Sequence, residues 1–106
     1  IGYYELALKR GLKTYGEHHP DVATSYNNLG LAYDSKGNYD RAIEYYEKDL
    51  AISLEKLGSN HPDVAASYNN LGVAYNSNGN YDQAIEYFEK SLAIRLKKLG
   101  SNHPDV

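Results

Sequence analysis

Between Tyr81 and Leu99 apolar side chains return every three or four residues, at Tyr81, Ile85, Phe88, Leu92, Leu96 and Leu99. That spacing follows one face of an α-helix and predicts a helix over 81–99 with one continuous apolar stripe. A run upstream, Val64, Tyr68, Leu71 and Tyr75, has the same period and predicts a helix over 62–78. It opens on His61-Pro62-Asp63. Asn60 or His61 is placed to cap, Pro62 suits the first helical position, and Asp63 meets the positive end of the helix dipole. Gly79-Asn80 divides the two runs, the glycine ending the first helix and Asn80 capping the second. Gly100 ends the second helix.

The same text occurs more than once. Residues 19–60 and 61–102 agree at 33 of 42 positions. The offset continues upstream, where Ile1, Tyr3, Tyr4, Glu5, Leu8, Leu12 and Gly16 match Ile43, Tyr45, Tyr46, Glu47, Leu50, Leu54 and Gly58. A fixed period of this length is the signature of a solenoid, in which supersecondary units stack in a row. The expected architecture is all-α, with helix pairs A–B. Residues 1–18 hold a B helix of a truncated repeat, 19–60 and 61–102 are full repeats, and 103–106 begin a further one. The A helices are expected at 20–36 and 62–78, the B helices at 1–15, 39–57 and 81–99.

On a helical wheel, Val22, Tyr26, Leu29 and Tyr33 gather on one side of the first A helix, with Gly30 beside them permitting a close helix approach. Thr24, Asn27, Asn28, Leu31, Asp34 and Ser35 fall on the other side. The two full repeats differ on this helix at Thr24/Ala66, Leu31/Val73, Asp34/Asn76 and Lys36/Asn78, three of them on the polar side. Drift at exposed positions and a varied groove on a constant scaffold both account for that pattern.

A net charge of −3 argues against nucleic acid or an anionic membrane as the main partner. With no cysteine, disulfide and thiolate chemistry are excluded. That absence, together with the lack of a signal or membrane segment, points to a cytoplasmic location. His19, His61 and His103 recur, each two residues before an aspartate, as parts of the recurring turn and without a second metal ligand at helical spacing. The carboxylates Asp40, Glu44, Glu47, Asp82, Glu86 and Glu89 are expected on the solvated outer side of the B helices, not as an acid–base pair. No phosphate-binding loop is present, and neither an enzyme nor a cofactor is expected.

Tyr-x-x-Leu-Gly-x-x-Tyr at 26–33 and 68–75, followed by Gly-Asn-Tyr-Asp-x-Ala-Ile-Glu-Tyr at 37–45 and 79–87, resembles the tetratricopeptide repeat signature. That repeat usually spans about 34 residues. The longer unit here, with Leu54 and Leu96 where a proline would end helix B and Asp49 or Ser91 at a position usually small, is similar to the 42-residue repeats of kinesin light chains. The resemblance implies a right-handed superhelix whose A helices line a concave, peptide-binding groove. Carried onto this sequence, the groove residues are Thr24, Asn27, Asn28, Leu31, Asp34 and Ser35, then Ala66, Asn69, Asn70, Val73, Asn76 and Ser77. An amide offers donor and acceptor together, so the asparagines suit the backbone of an extended peptide. The alternative for one asparagine of each pair is a tie between neighbouring repeats. The basic residues of a carboxylate clamp are missing from this face. The expected partner is thus a protein or peptide. The alternative is a structural array whose uncapped ends lead to end-to-end stacking or helix exchange between molecules. In that reading the stripe Ile1, Tyr4, Leu8, Leu12 and Tyr15 awaits a missing partner.

Overall fold

The structure, a computed structural model, describes residues 2–99, with side chains through residue 97. It contains α1 (Gly2–Tyr15), α2 (Pro20–Ser35), α3 (Tyr39–Leu57), α4 (Pro62–Ser77) and α5 (Tyr81–Leu99). No strand occurs among the described residues. Both A helices end one residue before the expected position, because Lys36 and Asn78 are their C-caps.

Local chemistry sets these boundaries. Nδ1 of His19 accepts from the amide of Asp21 at 3.0 Å, and His61 does the same for Asp63 at 3.0 Å. The recurrent histidine is therefore an N-cap, its Nδ1 occupied by the first turn of its own helix. The 4.0 Å approach of His61 Nδ1 to the Asp63 carboxylate is a by-product of that cap, since a nitrogen accepting a hydrogen bond carries no proton. At the other end, Asn38 N–H donates to Tyr33 O at 2.9 Å and Gly37 N–H to Asp34 O at 3.0 Å. This pair of bonds is a Schellman closure, which needs a left-handed residue; Gly37 supplies it at φ 80°.

Helices pack chiefly on their chain neighbours, α1 on α2 through to α4 on α5. One core joins Ala42, Ile43, Tyr46 and Leu50 of α3 to Val64, Ala65, Leu71 and Ala74 of α4 and Ile94 of α5. A second joins Val22, Ala23 and Tyr26 of α2 to Ile52, with Leu8 and Leu12 of α1 laid against it. Each repeat is also tied to the one before it by a tyrosine. Tyr33 donates to Glu5 at 3.3 Å and Tyr75 to Glu47 at 3.0 Å. Burial, reinforced by the Glu47 carboxylate, pushes the Tyr75 hydroxyl up to about 12.

The 81–99 stripe is largely open: Tyr81, Ile85, Leu92 and Leu96 are exposed, while Ala84, Ser91 and Ile94 are buried. Leu99 falls outside the described side chains. The equivalent residues of α3, Ile43 and Leu50, are buried in the core shared with α4, and α5 contributes Ile94 to that same core. In α1 the expectation of an unpartnered stripe needs correction at Leu8 and Leu12, which pack on α2; Tyr15, stacked on His19 with ring centroids 4.1 Å apart, stays half exposed. Tyr3 and Leu6 of α1 are exposed as well. Ile1 lies outside the described residues.

Candidate functional site

The A helices α2 and α4 lie on either side of α3, and between them runs an open groove of about 360 Å³. Pro20, Ala23, Thr24 and Asn27 form the α2 wall, and Asp63, Ala66, Ser67 and Asn70 the α4 wall. Each set follows the i, i+3, i+4, i+7 spacing of one helix face. The floor is the second half of α3: Asp49, Ile52, Ser53, Lys56 and Leu57.

Asn70 Nδ2 donates to Asn27 Oδ1 at 3.1 Å across the gap between the walls. The partners are 43 residues apart, not 42, so the first asparagine of one pair meets the second of the next. This is a tie between repeats. It still leaves the amide nitrogen of Asn27 and the amide oxygen of Asn70 with no side-chain hydrogen bond among the described residues.

Of the twelve positions suggested by the sequence, Thr24, Asn27, Ala66 and Asn70 line this groove. Asn28 and Asn69 are half-buried and do not line it. Leu31, Ser35, Val73, Asn76 and Ser77 are exposed outside it. Asp34 accepts from the Tyr46 hydroxyl at 3.5 Å.

The floor residues were not anticipated. Their signal lay among the five B-helix differences between repeats, of which Asp49/Ser91 and Ser53/Arg95 are one turn apart on the same face. Asp49 is only 8% exposed. Ser67 Oγ donates to it at 3.0 Å, and Ser53 Oγ lies at 3.5 Å. Burial raises the Asp49 carboxyl above its ordinary range, the two serines oppose the rise, and the Asp63 carboxylate adds to it. Among the described residues no ion pair reaches it. Those residues also hold no group of His, Asp or Glu side chains arranged for a metal ion, and no helix long and apolar enough to cross a membrane.

Comparison with known proteins agrees with this architecture. The profile of the tetratricopeptide repeat family matches residues 1–55, 36–97 and 63–106. A solved structure of a putative kinesin light chain from Podospora anserina, with nearly identical tetratricopeptide-like repeats, superposes with a TM-score of 0.84 at 35% identity, over 98% of this chain and 49% of that one. BtubC (BKLC) from P. vanneervenii superposes with a TM-score of 0.85 at 34% identity, over 97% of this chain and 41% of that one. This chain thus spans half or less of the solved chains it resembles. No curated protein sequence matches it. Repeat period, capped helix pairs, profile and superposition agree: the chain belongs to the tetratricopeptide repeat family.

Proposed function

We propose that this chain is an interaction scaffold that holds an extended segment of a partner protein in the groove between α2 and α4. Tetratricopeptide repeats generally mediate protein–protein contacts, and the fold is of a scaffold type. The observation that carries the reading is the Asn27–Asn70 pair, which presents one amide donor and one amide acceptor at the groove. A peptide unit in extended form offers the complementary acceptor and donor whatever its side chains are. Loss of one such bond is worth about 1 kcal/mol, roughly a fivefold change in affinity. Asn27→Ala and Asn70→Ala are each expected to weaken peptides selected from an array by about that factor, read by fluorescence polarisation. Ser35→Ala, outside the groove, should leave them unchanged. Equal binding by wild type and both asparagine variants would remove the groove from consideration.

A second reading, a structural array that associates with further molecules of itself, is favoured by α5. Ile43 and Leu50 of α3 are each 9% exposed beneath α4, yet their repeat equivalents Ile85 and Leu92 are 54% and 55% exposed. The face therefore matches an A helix carrying the α4 pattern, and a second molecule that exchanges a helix pair brings one. Light scattering is expected to show mass rising with concentration, and Leu92→Lys should suppress the rise. A monomer throughout overturns this reading.

A further inference from the structure

A carboxylate with four lone-pair sites sits on the groove floor with little to satisfy it. Asp49 is buried, and its nearest donor, Ser67 Oγ at 3.0 Å, has one hydrogen that the Asp63 carbonyl, at 3.2 Å, also attracts. The other hydroxyl, Ser53 Oγ, stands at 3.5 Å, the outer limit of a hydrogen bond. A buried charge normally has an opposite charge beside it, because desolvation otherwise goes uncompensated. Here the next charge in the groove wall is another carboxylate, Asp63. Lys56 lines the groove but makes no ion pair with either aspartate. The position does not need an acid for the fold: its equivalents are Ala7 in α1 and Ser91 in α5, the latter equally buried.

We infer that the groove selects a segment bearing a lysine or arginine, whose cationic head enters the space over α3 and pairs with Asp49. The inference rests on the groove being the binding surface. In it the asparagine pair holds the backbone without regard to sequence, and Asp49 supplies the preference at one side chain. The groove is open on its solvent side and large enough for a long aliphatic stem, which Ala66 and Ile52 would flank.

The test uses three peptides with one alanine–serine backbone and lysine, norleucine or glutamate at the centre, titrated into the protein and followed by amide chemical shifts and calorimetry. Lysine is expected to bind about tenfold tighter than norleucine, with shifts at Ser53, Ser67 and Asn70, and glutamate weakest. Asp49→Ser, which installs the residue of the next repeat, should remove the difference between lysine and norleucine and leave the helix content intact. Asp40→Asn removes the same charge from an exposed site of α3 and should preserve the difference. Equal binding of lysine and norleucine to wild type overturns the cation preference while the groove reading stands. An equal loss in Asp40→Asn and Asp49→Ser also overturns it, because net charge alone would then be responsible. Absence of binding by all three peptides overturns both readings.

Discussion

Replacing Leu71 by alanine is expected to lower stability by roughly 2–5 kcal/mol. Leu71 has 0% exposure and belongs to the core that holds α4 both to α3 and to α5. Truncation removes transfer energy and leaves a cavity that two helix interfaces must close around. In a row of helices held mainly by nearest neighbours, the damage should be local: amides of α4 and α5 are expected to exchange with solvent before those of α2 and α3. Leu29, also at 0% exposure, is its counterpart in the preceding repeat and should show a loss in the same range. Thr24→Ala is the control. Its hydroxyl makes one exposed bond to the Pro20 carbonyl at 3.3 Å, and the change should stay within about 0.5 kcal/mol. Urea denaturation of the three variants decides the matter. Equal losses for Leu71→Ala and Thr24→Ala would mean that the two faces of the A helices have been assigned the wrong way round.

Gly30→Ala is expected to be the most damaging of the small-residue changes. A Cβ at Gly30 would stand 2.5 Å from Cε1 and 2.6 Å from Cδ1 of Tyr46. Tyr46 is 1% exposed and its hydroxyl is engaged with Asp34, so the ring has nowhere to go. Overpacking of that kind typically destabilises by about 1–3 kcal/mol. Exchanging glycine for alanine inside a helix returns roughly 0.5–1 kcal/mol, leaving a net loss of up to about 2.5 kcal/mol. Gly72 faces Phe88 at a similar separation, 2.7 Å, but Phe88 is only half-buried and can yield. For Gly72→Ala the two contributions should nearly cancel, to within about 1 kcal/mol. The difference between the two variants isolates the rigidity of the aromatic partner, since the local sequences are almost identical. Thermal unfolding that ranks Gly72→Ala below Gly30→Ala would contradict it.

Most of the local structure was legible from the amino-acid order, to within one residue at the A-helix ends. His19-Pro20-Asp21 starts a helix because a ring nitrogen, a donor-free residue and a carboxylate each suit the first turn, whatever lies around them. Tyr33 through Asn38 close that helix through bonds that span only five residues. The buried side of the A helices was likewise readable, because Val22, Tyr26 and Leu29 mark it at helical spacing. The 42-residue period then dictated that these pairs stack.

What the order of residues did not determine is which side of a B helix is covered. A helix set between two A helices has two packed faces, and periodicity marks apolar positions without saying which neighbour reaches them. Ile43 and Ile85 stand in the same local sequence, Asp-x-Ala-Ile-Glu-Tyr, yet one is buried and the other open. The difference is the presence of α4 over the first. Asp49 shows the converse: a residue that propensity assigns to a surface is enclosed and receives a hydrogen bond from Ser67 of α4. The Asn27–Asn70 contact, one residue out of step with the repeat, likewise depends on how far one A helix is displaced along the next. Burial and cross-helix pairing are properties of the neighbours a residue meets, and only the tertiary structure supplies those.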